Sequence, residues 1–325
     1  MNDGERDQQT KGCVNEVAEQ EQFVEVEGRT LRLRNLDKVL YPSTGTTKGE
    51  VLHYLTAVSH LLLPHLKDRP ATRKRWPDGV ASGTFFEKNV PQGAPEWLRR
   101  VTLPAPGSTK EREEVTYPLI DDLAGLIWAA NLASLELHVP QWRVGPRGAV
   151  RDPDLLVIDL DPGPPAGLAE CAEVAFAVRE RLTADGLHSF PVTSGGKGMQ
   201  LYAAVSGRQD ATTVREYAHR LAEELERDLP KLVVSRMTKT LRRDKVFLDW
   251  SQNHSAKTTI CPFSPRGRER PTVAAPRSWS ELENPSRLRQ LEFGEVLERI
   301  QDGDPLADLL PNGSKLGSGP RVRTA

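Results

Sequence analysis

The sequence predicts a mixed α/β fold, in which apolar strands alternate with amphipathic helices. The clearest strand is DLLVIDLD at 154–161, a nearly continuous apolar run that ends in acidic residues. Helical patterns follow at 168–184 and at 210–228, and the strand-like MQLYAAV separates them at 199–205. Apolar residues at helical spacing between runs of strand length indicate sheets covered by helices.

The elements before this core are shorter. Residues 23–34, FVEVEGRTLRLR, alternate in polarity on either side of a central EG pair and predict a β-hairpin. Thr47 and Glu50 have the spacing of a capping box, which opens an amphipathic helix that continues to Leu62. Residues 70–118 are rich in Pro, Gly and Arg and predict loops with short strands.

The remaining elements complete a single predicted domain, 22–310. We expect a buried helix at 120–135, a strand at 135–144, a strand at 246–250 and one or two helices within 277–310. Residues 1–21 are polar and acidic and predict a disordered tail, and 311–325 predict a flexible C-terminal tail.

The composition is that of a globular chain without membrane segments. Its 325 residues, 38% of them hydrophobic, suffice for one large domain or two small ones. The N-terminus lacks the apolar stretch of a signal peptide, and no apolar run is long enough to cross a bilayer. Cys13, Cys171 and Cys261 are far apart, which excludes zinc spacing and a disulfide framework. We therefore expect a soluble cytoplasmic protein.

Two acidic residues end the central strand and predict a metal site. Asp159 and Asp161 are two residues apart, so their carboxylates point to the same face while Leu160 points into packing. Like charges this close repel unless a cation lies between them, and Mg²⁺ or Mn²⁺ prefers such oxygen ligands. Asp249 follows the apolar VFL and closes the site from a neighbouring strand. From pattern alone, a strand that ends in an Asp-Pro-Gly turn explains the same residues.

A glycine-rich segment, TSGGKG at 193–198, lies between two strand-like runs. Its glycines allow close approach to phosphate, Ser194 offers a hydroxyl and Lys197 a positive charge. The spacing is not that of a Walker A loop, and an ordinary glycine-rich hairpin turn is the better explanation of this segment taken alone.

Basic and aromatic side chains supply the remaining candidates. Around Asp249 the basic residues are Arg236, Lys239, Arg242, Arg243, Lys245, Lys257, Arg266, Arg268 and Arg270. Such a run suits triphosphate and nucleic-acid backbone, although it is also typical of a solvated face. Lys38 and Lys48 flank a turn and a helix N-terminus, where a phosphate can bind, although on pattern alone they are better explained as solubilising residues of the helix surface. Phe85 and Phe86 are adjacent, so in a strand one ring faces outward and can stack on a base; a core Phe beside a partly exposed neighbour is the ordinary alternative.

Taken in order, these motifs resemble the polymerase domain of bacterial ATP-dependent DNA ligase D, in the archaeo-eukaryotic primase superfamily. The motifs are LDKVLYP, RWPDG, FFEKN, ELHVPQWR, DLDPG, SGGKG, LRRDKVFLDWSQN and SPR. The resemblance covers about residues 25 to 300. It implies a primase-type fold, with mixed or antiparallel sheets packed by helices around a catalytic cleft, and a free-standing version without ligase or nuclease regions.

The resemblance also implies a role for each matching residue. Asp159, Asp161 and Asp249 match the catalytic metal ligands, which hold two Mn²⁺ or Mg²⁺ ions. The nucleotide-binding positions are His138, Ser194, Lys197, Arg242, Gln252 and Arg266. Lys38 and Lys48 match the pair that binds a DNA 5′-phosphate, and Phe85 and Phe86 match aromatics that stack on template bases.

The implied activity is template-directed nucleotide transfer at DNA gaps or double-strand breaks in non-homologous end joining. A preference for ribonucleotides, and cooperation with Ku and a separate ATP-dependent ligase near the bacterial nucleoid, follow from the same resemblance. One position departs from the family pattern: Gln200 stands where a histidine contacts the nucleotide phosphates. Gln can donate a hydrogen bond but carries no charge. Two alternatives therefore stay open, a non-catalytic or weakly active module that binds DNA ends and a divalent-metal nuclease.

Overall fold

The computed structural model describes residues 21–104, 113–310 and 316. The strands are β1 (Glu21–Val26), β2 (Arg29–Arg34), β3 (Val39–Tyr41), β4 (Thr46–Thr47), β5 (Thr72–Arg75), β6 (Phe85–Glu87), β7 (Arg100–Pro104), β8 (Glu114–Pro118), β9 (Ser134–Val139), β10 (Leu155–Pro162), β11 (Ser189–Thr193), β12 (Met199–Ala204), β13 (Val233–Val234), β14 (Val246–Asp249), β15 (Thr259–Ile260) and β16 (Ala275–Pro276). The α-helices are α1 (Lys48–Ala57), α2 (Ser59–Leu66), α3 (Leu123–Asn131), α4 (Leu168–Ala184), α5 (Ala211–Asp228), α6 (Trp279–Leu282) and α7 (Phe293–Arg299).

A six-stranded sheet forms the centre of the molecule, in the order β13-β14-β10-β12-β11-β16. Strands β13 and β14 are parallel, and the other neighbours are antiparallel. On one face of β10, Leu156, Ile158 and Leu160 are buried in an apolar cluster that includes residues of α4 and α5. The alternation of a strand therefore leaves the odd-numbered residues of β10 for the opposite face.

That opposite face meets a second sheet of four strands, in the order β15-β9-β5-β6. Leu155 and Val157 of β10 share an apolar cluster with Leu135 and Leu137 of β9, and this cluster extends to α1, α2 and α3. Beyond Val157 the same face carries acidic residues instead of apolar ones. The two sheets thus pack together at one end of β10 and leave a cleft at the other.

Most of the predicted elements are present, but the strand predicted at 135–144 ends at Val139, the helix predicted at 120–135 covers Leu123–Asn131, and the first helix is divided. The β1-β2 hairpin turns at Glu27 and Gly28, both with positive φ, which is the geometry of a tight two-residue turn. Helix α4 has the predicted bounds, and Gly186 follows its end with φ 77°. Thr47 and Glu50 form the predicted capping box, but the helix stops at Ala57. A second helix begins at Ser59 because the backbone of Val58, with ψ 1°, leaves the helical range.

The predicted tails lie largely outside the described residues. The exceptions are Glu21, which begins β1, and Leu316, which is buried against the α4-α5 side of the central sheet. Cys171 and Cys261 are buried free thiols, and Cys13 lies outside the described residues. Among the helices described, none is long and apolar enough to span a membrane.

Candidate metal and nucleotide site

Three carboxylates meet at the cleft end of the central sheet. Asp159 on β10 lies directly opposite Asp249 on β14 and opposite Gln200 on β12. Asp161 is two residues further along β10, on the same face, while Leu160 between them is buried on the other side. The period of two and the neighbouring strand therefore place the predicted acids on one face of two adjacent strands, as the sequence indicated, and their role as metal ligands stays a prediction.

Asp159 and Asp161 are each oriented by a side chain of the protein. Asp159 Oδ1 accepts a hydrogen bond from Gln200 Nε2 at 3.1 Å, and Asp161 Oδ2 accepts one from Arg242 Nη1 at 3.3 Å. The guanidinium of Arg242 also stacks on the Phe247 ring, 3.7 Å from its centroid. Arg242 is thereby held over the strand that carries Asp249.

Asp249 is held by the turn that follows it. Its Oδ1 accepts a hydrogen bond from Ser251 N at 3.1 Å, and its Oδ2 accepts one from Gln252 Nε2 at 2.9 Å. Lys257 Nζ lies 3.9 Å from Oδ2. In the described part of the chain, no three His, Cys, Asp or Glu side chains are already grouped as a metal requires. Each carboxylate accepts a hydrogen bond from a different side chain, so metal binding would require the three carboxylates to move closer to one another.

The electrostatics of Asp159 nevertheless fit a divalent cation. Burial and, after it, the charges of Asp249 and Asp161 together raise the pKa of this carboxyl to about 7, against the hydrogen bond from Gln200, which lowers it. A cation among these carboxylates would remove both penalties. The donor set consists of hard carboxylate oxygens on adjacent strands, which suits Mg²⁺ or Mn²⁺.

A cavity of about 270 Å³ opens beside the carboxylates. It is lined by nine side chains that the sequence singled out: His138, Asp159, Asp161, Ser194, Lys197, Gln200, Gln252, Arg266 and Arg268. Thr258 and Thr259 complete its polar wall. Asp249 and Arg242 do not line the cavity, but each contacts a residue that does, Gln252 and Asp161 respectively. Acidic and basic groups thus face one space that can hold a phosphorylated ligand next to a metal.

The glycine-rich segment is the hairpin turn between β11 and β12, and it also faces this cavity. Its ends are joined by a hydrogen bond from Ser194 N to Gly198 O at 3.0 Å. A Cβ on Gly198 would lie 1.9 Å from the carbonyl oxygen of Leu160, and one on Gly195 would lie 2.5 Å from Cγ of Arg266. These two glycines are required because the turn passes directly over β10 and beside Arg266.

Glu136 is a central residue that the sequence analysis missed. It is buried on β9, where Oε2 lies 2.9 Å from His138 Nε2. Its Oε1 accepts hydrogen bonds from Arg266 Nε at 3.2 Å and Gly267 N at 3.1 Å. Burial acts to raise the pKa of Glu136, but the hydrogen bond from His138 and the charge of Arg266 lower it to about 2. The signal was present, because Glu and His two apart on a strand share a face.

Phe85 and Phe86 lie on β6, the edge strand of the four-stranded sheet. Their exposed fractions are 55% and 53%, so the alternative of a core Phe is wrong for both rings. The Phe86 ring stands edge-on to His138, with ring centroids 6.3 Å apart. An open aromatic surface therefore adjoins the cavity.

Lys38 and Lys48 lie together near the start of α1 and do not line the cavity. Lys38 Nζ pairs with Asp78 at 2.8 Å, and Lys48 Nζ donates to Asn131 Oδ1 at 2.8 Å and to the Arg34 carbonyl at 2.5 Å. Burial, together with the positive charges of Lys38 and Arg34, lowers the pKa of Lys48 to about 8. Their phosphate-binding role stays a prediction.

The fold and this cleft define a nucleotidyltransferase of the primase-polymerase class. A family model described as "LigD, primase-polymerase domain" matches residues 47–306, and the chain belongs to this family. The predicted fold class and family resemblance are thereby confirmed.

Relatives and a solved structure agree with this assignment. The chain is 50% identical over 287 residues to the multifunctional non-homologous end joining DNA repair protein LigD of Mycobacterium tuberculosis, covering 85% of this chain and 36% of that protein. It is 33% identical over 286 residues to the bifunctional LigD of Bacillus subtilis, covering 87% and 44%. The chain thus spans less than half the length of these relatives. The polymerase domain of M. tuberculosis ligase D, solved in complex with DNA, matches with TM-score 0.82 and 49% identity over 87% of this chain and 99% of that one.

Proposed function

We propose that this chain is a template-directed, DNA-dependent nucleotidyltransferase that fills gaps or extends ends in non-homologous end joining. The observation that carries the proposal is the cavity in which Asp159 and Asp161 face Lys197 and Arg266. The acids suit a metal, and the bases suit a triphosphate. Its LigD relatives are named for end joining, and its structural neighbour was solved with DNA.

The reaction is attack of a primer 3′-hydroxyl on the α-phosphate of an incoming nucleotide. Mn²⁺ or Mg²⁺ held by Asp159, Asp161 and Asp249 would activate the hydroxyl and stabilise charge at the reacting phosphate. Lys197 and Arg266 bind the negative oxygens of the triphosphate, and Arg266 is already held in place by Glu136 and the Ser194 carbonyl before the ligand arrives. Most of the catalytic effect then comes from positioning and from preorganised charge.

The neutral Gln200 is compatible with this activity because its amide serves the carboxylate rather than the phosphates. Gln200 Nε2 donates to Asp159, and its Oε1 accepts a hydrogen bond from the hydroxyl of Tyr202 at 3.0 Å. The side chain is buried on the sheet. Positive charge for the triphosphate comes instead from Lys197, Arg266 and other basic residues of the cleft.

The surroundings of the cavity suit a DNA break. Phe85 and Phe86 would stack on template bases, and Lys38 and Lys48 would bind a 5′-phosphate. Ser194, Gln252, Arg242 and His138 would contact the nucleotide, with ribonucleotides preferred. Ku and a separate ATP-dependent ligase are the proposed partners, and the bacterial cytoplasm at the nucleoid is the proposed location.

The test is primer extension on a gapped, 5′-phosphorylated template with Mn²⁺ and either ribo- or deoxyribonucleotides. We expect longer products that require nucleotide, and we expect Asp159→Ala to abolish them. Shortened products alone would show that the chain is a nuclease and not a polymerase. If wild type and Asp159→Ala extend equally poorly yet bind 5′-phosphorylated ends equally well, the chain is a module that binds DNA ends.

A further inference from the structure

Lys257 belongs to the basic run around Asp249 and lies at the predicted metal site. Its Nζ lies 3.9 Å from Asp249 Oδ2 and also contacts the hydroxyl of Ser251. That hydroxyl in turn donates to Asp249 Oδ1. The ammonium and the Ser251 hydroxyl therefore reach both oxygens of Asp249. The two residues that follow Lys257 line the cavity, which places Lys257 at its rim.

The two cations beside the acids are held very differently. Arg242, at Asp161, stacks on Phe247 and donates a second hydrogen bond to the Met237 carbonyl at 2.9 Å. The side chain of Arg242 is 21% exposed, whereas that of Lys257 is 43% exposed and its ammonium contacts only side-chain oxygens. Because a half-exposed ion pair of this kind contributes little to stability, Lys257 can leave Asp249 at small cost.

We propose that Lys257 is the resident counter-cation of Asp249 in the metal-free protein, and that it moves from Asp249 to the nucleotide phosphates when a divalent cation binds. The inference rests on the proposed function, since it requires Asp249 to be a metal ligand. An ammonium and a divalent cation repel each other at one carboxylate, so the two occupy it in turn. Lys257 has a four-carbon stem with free rotation, which suits such a movement better than the clamped Arg242.

The exchange gives Lys257 two opposite effects. Without nucleotide, its ammonium competes with the metal, and its removal should strengthen metal binding. With nucleotide, the displaced ammonium contacts phosphate oxygens, and its removal should weaken nucleotide binding. A residue with only a structural role would weaken both, or neither.

The experiment is titration of Mn²⁺ alone into the full chain, by calorimetry and by the electron paramagnetic resonance signal of free Mn²⁺. Lys257→Met should bind Mn²⁺ on the order of threefold to tenfold more tightly than wild type, because one nearby positive charge is lost. Lys257→Arg retains the charge and should bind as wild type does. The matched control is Lys231→Met. Lys231 is exposed and precedes β13, which pairs with the end of β14 that is far from Asp249, so this variant should bind Mn²⁺ as wild type does.

A second measurement uses primer extension at saturating Mn²⁺. Lys257→Met should raise the KM for nucleotide on the order of tenfold while kcat changes less. The inference is overturned if Lys257→Met binds Mn²⁺ no more tightly than wild type, whatever its activity. It is also overturned if KM is unchanged. Failure of the proposed function would give a different result. Wild type would then not extend the primer, and the Asp159→Asn variant would bind Mn²⁺ as tightly as wild type does.

Discussion

The two walls of the cleft each carry a buried carboxylate, and their environments are opposite. Glu136, on the four-stranded sheet, receives hydrogen bonds from His138, Arg266 and Gly267 N, and its pKa falls to about 2. Asp159, on the six-stranded sheet, receives one neutral amide hydrogen bond among other acids, and its pKa rises to about 7. The satisfied carboxylate organises its surroundings, whereas the unsatisfied one is suited to receive a cation.

This contrast assigns different tasks to the walls. The six-stranded sheet carries groups whose charges are incompletely compensated, and changes there should act on kcat. The four-stranded sheet carries a compensated charge and the exposed rings of Phe85 and Phe86, and changes there should act on ligand binding. Each wall can be tested separately by the parameter that its variants alter.

The largest effect is expected for Asp159→Asn. It should lower the rate of primer extension by about a thousandfold, because it removes a negative metal ligand. In EDTA the same change should raise Tm, since it relieves a buried charge beside Asp161 and Asp249. Primer-extension kinetics and thermal unfolding measure the two effects. Asp302→Asn, at an exposed position, should leave both unchanged. A lower Tm for Asp159→Asn in EDTA would break the contrast between the walls.

Glu136→Gln should raise the KM for nucleotide by roughly tenfold to a hundredfold, because His138 and Arg266 lose their shared anion. It should also destabilise the fold by about 2–3 kcal/mol at neutral pH. The folded-state pKa is lower than the ordinary 4.5, so this stability is present above pH 4.5 and is lost as pH falls towards 2. Urea unfolding of wild type and variant between pH 3 and 7 measures the difference. A difference that stays constant with pH would contradict the assignment.

Phe86→Ala should weaken binding to a gapped DNA template by about tenfold, since stacking on one base contributes about 1–3 kcal/mol. Fluorescence anisotropy with a labelled gapped duplex measures it, and kcat at saturating DNA should change little. Phe23→Ala removes an equally open ring from the β1-β2 hairpin and is the matched control. If both variants bind DNA as wild type does, the proposal that the four-stranded sheet binds the template through Phe86 is contradicted.

Lys38→Ala should have the smallest effect, a roughly threefold to fivefold loss of affinity for a 5′-phosphorylated gap. Lys38 is outside both walls, so nucleotide KM and kcat should stay the same. The measurement compares gaps with and without the 5′-phosphate. Equal loss on both substrates would mean that Lys38 contributes only general positive charge.

Much of this arrangement follows from local sequence patterns. The period of two in β10 put Asp159 and Asp161 on one face, and helical spacing with Gly186 as the stop gave the bounds of α4. Apart from the pairing of Asp159 with Asp249, contacts between distant segments were not predicted. Glu136 meets Arg266 across 130 positions, and Lys48 is buried against Asn131, 83 positions away. Such burial depends on how sheets and helices pack, and local sequence patterns do not reveal that packing.

The close passage of the glycine turn over β10 limits how the substrate range of this cleft can change. A methyl group on Gly198 would collide with the backbone of β10, and one on Gly195 would collide with Arg266, whereas Gly196 has its nearest neighbour at 3.3 Å. The spacing between the turn and the acids is therefore fixed by backbone contact. Variants that accept larger or differently charged nucleotides should arise from side chains of the cavity wall, such as Thr258 and Arg268, and not from remodelling the turn.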